Sequence, residues 1–324
     1  EDYRSVSRDV QKLIEELQDQ KVDGIMIDLR YNGGGALPEA INLTGLFIDQ
    51  GPVVQVKHSN GEIDVQKNRN NGVVYDGPLA VLVNRFSASA SEIFSAAIQD
   101  YQRGVIIGET TFGKGTVQNV IDLGNIVRSN EHGDLGAIKL TTQKFYRING
   151  GSTQIEGVYS DIAIPSRYSY MKFGERDLEG ALIWDKVKQA DYIQTNTYEN
   201  FSDVIYNSKQ RIAADSKFKL INEYAKWLKE NQDDTSYSLN YKMFAKENVN
   251  REKKAEKFKS VFDYKSDLNF TSPQYELSLF KSDTALADKR IAWHKNLSKD
   301  VYVFEALNVL SELKLNPANE IVKH

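Results

Sequence analysis

The chain has 324 residues, which is enough for about two domains of ordinary size with a substantial buried core. It contains no cysteine, so disulfides, thiol catalysis and thiolate metal sites are excluded. The formal net charge of -4 argues against a general nucleic-acid binder, and no run of about 18 apolar residues predicts a transmembrane helix. The chain begins Glu1-Asp2-Tyr3 without methionine or a signal segment, which indicates an excised fragment or a processed product.

The first 165 residues show alternating helical and buried-strand patterns separated by glycine-rich turns. Apolar residues at helical spacing predict a helix over residues 6–17, and the apolar run that follows Gly24 predicts a buried strand. The remaining predictions in this block are a helix from residue 38, a hairpin over 53–66, a strand over 78–83 followed by a helix from 92, a strand over 105–108, and β-ribbons over 121–164 with a turn at 149–151.

The composition changes after Ser166, where Lys, Glu, Asn and Tyr increase and the glycine-rich turns disappear. Apolar residues at helical spacing predict one amphipathic helix around residues 218–228 and another over 301–313. The mixed-sign stretch over 246–259 is interpreted as a solvated helix face. The second half is therefore predicted to be mostly helical.

Three closely spaced serines, Ser87, Ser89 and Ser91, lie on the predicted turn between a buried strand and a helix. Residue type alone cannot choose a nucleophile among them. Ser89 and Glu92 also fit the S-x-x-E capping box, which satisfies backbone amides at the start of a helix. Capping is therefore the structural alternative to catalysis at Ser89.

Lys114 lies between two glycines, Gly113 and Gly115, in a partly apolar segment. A lysine can remove the proton of a serine hydroxyl only when its amine is neutral, and a desolvated site favours that form. Gln118, four residues later, offers a hydrogen bond that could fix the direction of the amine. The pair Ser89 and Lys114 therefore indicates a serine hydrolase that works without histidine.

The glycine cluster over residues 33–35 can bring backbone amides close to a ligand because no side chain is in the way. Two amides aimed at one point form an oxyanion hole, which stabilises the tetrahedral intermediate of acyl transfer. Gly35 and Ala90 are the candidates to supply them.

These segments together resemble the carboxy-terminal processing peptidases, also called tail-specific proteases, which use a Ser/Lys dyad. The resemblance is carried in order and spacing by DLRYNGGG at 28–35, FSASASEIF at 86–94, QDY at 99–101, TFGKGTVQ at 111–118, QKFYR at 143–147 and GGSTQ at 150–154. It covers residues 3–165 closely and the second half through its helical character. One departure is at 157–162, where the family usually has Thr-Pro before the aspartate.

By position, the resemblance implies Ser89 as nucleophile, Lys114 as general base and Gln118 as the residue that orients the lysine. Asp100 and Glu92 match acidic positions of the family, with Glu92 interpreted as a helix cap and Asp100 as a local support. The implied fold is an α/β, crotonase-like protease core over 1–165 with β-ribbons, a linker over 166–195 and a helical C-terminal domain over 196–324. Larger members also carry an N-terminal helical region and a PDZ domain before this core, and neither is visible here.

The resemblance implies an endopeptidase of the bacterial periplasm that acts on protein or peptide substrates with unstructured, apolar C-termini. An adaptor protein that delivers such substrates is a further candidate partner. No cofactor, metal or nucleic-acid partner is expected. The alternatives are a catalytically silent binding module of the same fold, an acyl-CoA enzyme of related fold, for which no adenine-diphosphate signal is present, and a Ser/His/Asp triad. The last is disfavoured because the four histidines, His58, His132, His294 and His324, lie outside every motif above.

Overall fold

The computed structural model describes residues 4–127 and 133–317 of the chain. The first half contains helices and strands in nearly the predicted order. Its elements are α1 (Val6–Asp19), β1 (Ile25–Asp28), α2 (Leu37–Thr44), β2 (Gly51–His58), β3 (Ile63–Asn68), β4 (Leu79–Val83), α3 (Ala90–Asp100), β5 (Val105–Gly108), β6 (Thr116–Asp122), β7 (Ala137–Tyr146) and β8 (Ile162–Ala163).

A parallel sheet with strand order β1-β4-β5-β8 forms the centre of this half. All five residues of β4 are buried, because helices or loops cover both faces of the strand. This explains the continuous apolar run that predicted a buried strand. The turns that follow β1, β4 and β5 all leave the sheet at its carboxyl edge.

The second sheet is antiparallel, with order β3-β2-β7-β6. It confirms the predicted hairpin and the predicted β-ribbon. The ribbon begins at Thr116, earlier than the predicted residue 121, so β6 starts two residues after Lys114. The predicted turn is present at Gly150, which has φ of 93° and donates its amide to the Arg147 carbonyl. The predicted ribbon segment over 128–132 lies outside the described residues.

The second half is mostly helical, as predicted. Its helices are α4 (Phe201–Ala214), α5 (Ser216–Asp233), α6 (Tyr241–Phe258), α7 (Gln274–Leu279), α8 (Thr284–Leu297) and α9 (Val301–Glu312). The predicted amphipathic helices correspond to α5 and α9, and the mixed-sign stretch lies mainly on the exposed surface of α6. Over residues 4–127 and 133–317, no helix combines the length and the apolar character needed to cross a bilayer.

The helical half packs directly on the parallel sheet. Helix α9 contacts β4 and β1, and its buried residues Val303 and Val309 share one apolar cluster with Leu82 of β4. Tyr198 reinforces this contact, since its hydroxyl accepts the amide of Leu79 at 3.0 Å. The helices therefore form one wall of the space at the carboxyl edge of the sheet.

The segment over 166–195 contains a 3₁₀ turn, Glu175–Asp177, and follows the surface of the first half. It is attached through the bridge between Gly151 and Lys186 and through Trp184, whose indole donates to the Ser152 carbonyl at 3.0 Å. These contacts place the segment beside the loop that follows β7.

Candidate active site

Ser89 occupies the turn between β4 and α3, immediately before the first helical residue, Ala90. Its backbone has φ of 56° and ψ of -114°, a conformation that residues other than glycine rarely adopt. Such strain persists only where surrounding contacts hold it, and it occurs often at nucleophilic turns. The serine is partly exposed, so a substrate could reach its hydroxyl.

The other two serines make structural hydrogen bonds. The Ser87 hydroxyl donates to the Leu29 carbonyl at 2.8 Å and accepts the amide of Asn84 at 2.9 Å, and Ser87 is fully buried. The Ser91 hydroxyl donates to the Asn32 carbonyl at 3.0 Å. These contacts attach the turn to the loop after β1 and favour Ser89 among the three candidates.

Glu92 connects the turn before α3 (residues 84–89, the serine turn) to the loop between β5 and β6 (residues 109–115, the lysine loop). Its side chain is fully buried, and its Oε2 accepts the amides of Ser89 at 2.8 Å and Lys114 at 2.9 Å. Its Oε1 accepts the Thr111 hydroxyl at 2.6 Å and the Gly113 amide at 2.7 Å. Because one oxygen accepts both amides, the distance between the Ser89 and Lys114 nitrogens cannot exceed the sum of these two hydrogen-bond lengths.

Two glycines allow the lysine loop to lie close to the segment after β7. Gly113 has φ of +94°, and a Cβ there would lie 2.7 Å from the Ile155 carbonyl oxygen. A Cβ on Gly115 would lie 2.5 Å from the Gln154 amide nitrogen, while its own amide donates to Gln154 Oε1 at 2.9 Å. Lys114 between them is partly buried. The loop is therefore held on both sides of the lysine.

Gln118 is exposed on β6, at a register shift between Val117 and Gln118. Within residues 4–127 and 133–317, no hydrogen bond joins its side chain to Lys114. Its orienting role therefore stays a prediction.

Gly34 and Gly35 lie against the serine turn. A Cβ on Gly34 would lie 2.7 Å from the Ala90 amide nitrogen. The backbone of the loop between β1 and α2 (residues 29–36) therefore lies directly beside that amide. Gly35 and Ala90 both line a cavity of about 250 Å³, whose other walls include Leu43 and Phe94. The two proposed oxyanion amides thus belong to residues on the same cavity.

Substitution of Gly34 tests this contact. Gly34 has φ of +95°, and the Cβ of Gly34→Ala would lie 2.6 Å from the Ala88 carbonyl oxygen and 2.9 Å from Ser89 Cβ. We expect the predicted peptidase activity to fall at least about tenfold with helix content unchanged, because the turn must move and left-handed backbone strain costs about 1–2 kcal/mol. Gly35→Ala is the control, since a Cβ there meets nothing within 4 Å and the amide remains. Equal activities of the two variants would disprove the close-packing argument.

Asp100 lies at the end of α3 and is buried away from the serine turn. Its carboxylate pairs with Arg147 at 2.6 Å and accepts Asn149 Nδ2 at 2.8 Å. Burial raises the pKa of Asp100, and Arg147 opposes that rise. These contacts fix the turn after β7, which leads to Gln154 and thus to the lysine loop.

The ionisation of Glu92 gives a pH prediction. Burial raises the pKa of Glu92 from 4.5 to about 7, although the four donated hydrogen bonds lower it. Between these values the native state holds a proton that the unfolded state releases, so this group's contribution to stability falls as pH rises through the window. Activity should rise with pH through the same window, because only the ionised Glu92 carboxylate accepts all four hydrogen bonds.

Denaturant unfolding of the wild type and Glu92→Gln across pH 4–9 measures the linkage. The difference between the two unfolding free energies should change across the window from 4.5 to about 7 and level off above it. Parallel curves for the two proteins would show that Glu92 does not titrate there.

The site contains positioning residues that the sequence did not identify. Thr111 both donates to Glu92 and accepts the Val158 amide at 2.7 Å, and Gln154 supports Gly115. Both residues lie in segments that resemble the peptidase family, but nothing local indicated their partners, which are 19 to 47 residues away in the chain.

The described histidines have other surroundings. His58 Nδ1 lies 3.0 Å from the Gln143 amide on the antiparallel sheet, and His294 on α8 stacks on Phe270. His132 and His324 lie outside the described residues. Across residues 4–127 and 133–317, no group of three or more His, Asp or Glu side chains is arranged to hold a metal ion.

Comparison with known sequences gives two matches that together cover nearly the whole chain. Residues 2–164 match the family described as peptidase family S41. Residues 168–314 match the family described as the C-terminal domain of tail specific protease.

Individual relatives agree with these matches. A tail-specific protease of Haemophilus influenzae is 46% identical over 250 residues, which are 76% of this chain and 36% of the relative. The carboxy-terminal processing protease CtpA of Bacillus subtilis is 36% identical over 155 residues, or 48% of this chain and 31% of the relative. The chain thus spans about a third of the length of these curated relatives. A solved photosystem II D1 C-terminal processing protease has a TM-score of 0.43 and 34% identity, covering 49% of this chain and 39% of that one.

Proposed function

The chain belongs to peptidase family S41, and from this premise we propose that it is a serine endopeptidase that cuts proteins at or near a flexible apolar C-terminal tail. We assign the chemistry to residues 1–165, with 166–195 as a linker and 196–324 as a helical domain. By the same family resemblance, we place the enzyme in the bacterial periplasm and allow for an adaptor protein that delivers substrates.

The proposed reaction uses Ser89 as nucleophile and Lys114 as general base. The neutral Lys114 amine takes the hydroxyl proton as Ser89 attacks the scissile carbonyl, and the amides of Gly35 and Ala90 stabilise the oxyanion. Lys114 then gives its proton to the leaving amine, and an acyl-enzyme remains. Water, activated by the same amine, attacks the acyl-enzyme and releases the second product while Ser89 regains its proton. Gln118 orients the lysine.

The observation that supports this assignment most is the shared contact at Glu92. One buried oxygen accepts the amides of both Ser89 and Lys114, so the two backbones are held at a fixed separation. A general base must be held within hydrogen-bond reach of its proton donor for efficient transfer. The strained Ser89 backbone supports the same assignment, since the capping box that Ser89 and Glu92 form at the start of α3 does not by itself need such strain.

The preference for apolar tails rests on the cavity of about 250 Å³ beside Gly35 and Ala90. Its lining is largely apolar and includes Leu43 and Phe94, so an apolar side chain next to the scissile bond would bury its surface there. Glu39 also lines the cavity, and its carboxylate accepts the hydroxyl and amide of Ser7 at 2.9 and 2.8 Å. These bonds attach the start of α1 to the cavity wall.

The test compares one stable globular protein carrying either an apolar flexible tail or an acidic tail of equal length. Cleavage followed by mass spectrometry should favour the apolar tail by at least about tenfold, because one buried apolar side chain contributes about 1.5–3 kcal/mol. Equal cleavage of the two would contradict the apolar preference. If the wild type cuts neither protein, and a serine-directed phosphonate also fails to label Ser89, the catalytically silent binding module becomes the better explanation.

A further inference from the structure

A second cavity, of about 570 Å³, lies at the carboxyl edge of the parallel sheet, between the sheet and the helical half. Asp28, Asn84 and Glu109 line it from the ends of β1, β4 and β5. Neither Ser89 nor Lys114 is among its lining residues. Because ligands bind outside the carboxyl ends of strands in open parallel sheets, this position is suited to a binding site.

Glu109 is the least satisfied polar group in this cavity. Its side chain is 6% exposed, and Oε1 accepts Arg85 Nε at 3.0 Å. Its other oxygen, Oε2, is buried and accepts no hydrogen bond from any residue in the described ranges. A buried carboxylate oxygen without a donor is destabilising, which indicates a donor supplied from outside the chain.

The three carboxylates that line the cavity differ in exposure: Asp28 is exposed, Asp300 is half-buried and Glu109 is buried. Asp28 and Asp300 share one guanidinium, since Arg30 Nη2 lies 2.7 Å from the first and 2.8 Å from the second. The Glu109 carboxylate has Arg85 as its only ionic partner among the described residues. Only Oε1 of that carboxylate is used in the pair, so Oε2 is the position at which a further donor would bind.

The apolar walls of the cavity strengthen electrostatic interactions with the Glu109 carboxylate. Ile221, Val261 and Val301 contribute apolar surface, which lowers the local dielectric and strengthens electrostatic interactions inside. Asp28, Arg167 and Lys299 also line the cavity, but all three are exposed, so water and salt screen their charges. The unpaired oxygen of the buried Glu109 carboxylate favours a cationic hydrogen-bond donor, because charge-assisted hydrogen bonds are stronger than neutral ones.

We propose that this cavity is a subsite for a lysine or arginine side chain of the bound polypeptide, which donates a hydrogen bond to Glu109 Oε2. As a substrate subsite, the proposal rests on the peptidase function proposed above. The subsite would be coupled to the chemistry, since Arg85 lies in the serine turn and Glu109 begins the loop that carries Lys114. A basic residue in the substrate would then bind apart from the scissile bond.

Binding is measured first with N-acetyl-arginine N-methylamide and its neutral citrulline analogue, by calorimetry on the whole chain. The wild type should bind the arginine probe at least about tenfold more tightly, since a hydrogen bond to a charged group contributes about this much. Glu109→Gln should bind both probes alike, whereas Asp28→Asn, which removes an exposed charge and leaves Glu109 in place, should keep the preference for the arginine probe. Glu199→Gln, an exposed carboxylate elsewhere, is the control.

Equal binding of the two probes to the wild type would overturn the proposal and indicate that water alone satisfies Glu109. Unchanged discrimination in Glu109→Gln would overturn it as well. The binding measurement needs no proteolysis, so its result is independent of whether the chain cleaves anything. The substrate role is then tested with two apolar-tailed proteins that differ by one Arg or Gln upstream of the tail. Loss of the preference for Arg in Glu109→Gln supports the subsite, and no preference in the wild type contradicts it.

Discussion

Replacing Ser89 by alanine should abolish peptide cleavage, with a fall of about 10⁶-fold in kcat, the scale seen when a serine nucleophile is removed. Ser89 is partly exposed and its backbone contact to Glu92 uses the amide, so the fold should survive the change. The measurement is cleavage of an apolar-tailed protein, with thermal unfolding recorded alongside.

Ser91→Ala is the matched control for Ser89→Ala. It removes one hydroxyl, which donates to the Asn32 carbonyl at 3.0 Å, two residues farther along the same segment. It should cost about 1 kcal/mol of stability and leave most of the activity. If Ser91→Ala is inactive while Ser89→Ala is active, the nucleophile is Ser91 and not Ser89.

The second large effect is expected for Lys114→Ala. General-base catalysis contributes about 10²–10⁴-fold, so kcat should fall by at least that amount. Lys114→Arg should be as inactive as the alanine variant, because guanidinium does not give up its proton in proteins. Stability should change little, since the contact to Glu92 is made by the backbone amide.

Lys139→Ala is the control for Lys114→Ala. Lys139 is an exposed lysine on β7, directly opposite Val120 of the strand that follows the lysine loop. It should keep wild-type activity. If Lys114→Ala retains activity within about tenfold of the wild type, another group must remove the proton.

The local structure around Ser89 was predictable from the sequence. The short apolar run before Asn84 is typical of a buried strand, and the S-x-x-E pattern is typical of a helix start, so a turn was expected between them. The helices α5 and α9 were predictable for a similar reason, since their apolar spacing is regular over several turns.

The contacts that assemble the site were not predictable. Glu92 has a local use as a helix cap, and the sequence contains no signal that the same carboxylate also binds the Lys114 amide 22 residues away. The packing of the helical half on the sheet depends on contacts such as Tyr198 with Leu79, which are 119 residues apart. Spacing within an element predicts the element, but only the folded chain brings such residues together.

The most direct test of the Ser89 and Lys114 assignment is the rate and position of labelling by a serine-directed phosphonate. In the wild type, mass spectrometry should find the adduct on Ser89, and in Lys114→Ala the rate should fall by at least about 10²-fold because the hydroxyl loses its base. An adduct on a different serine, or the same labelling rate in both proteins, would contradict the assignment.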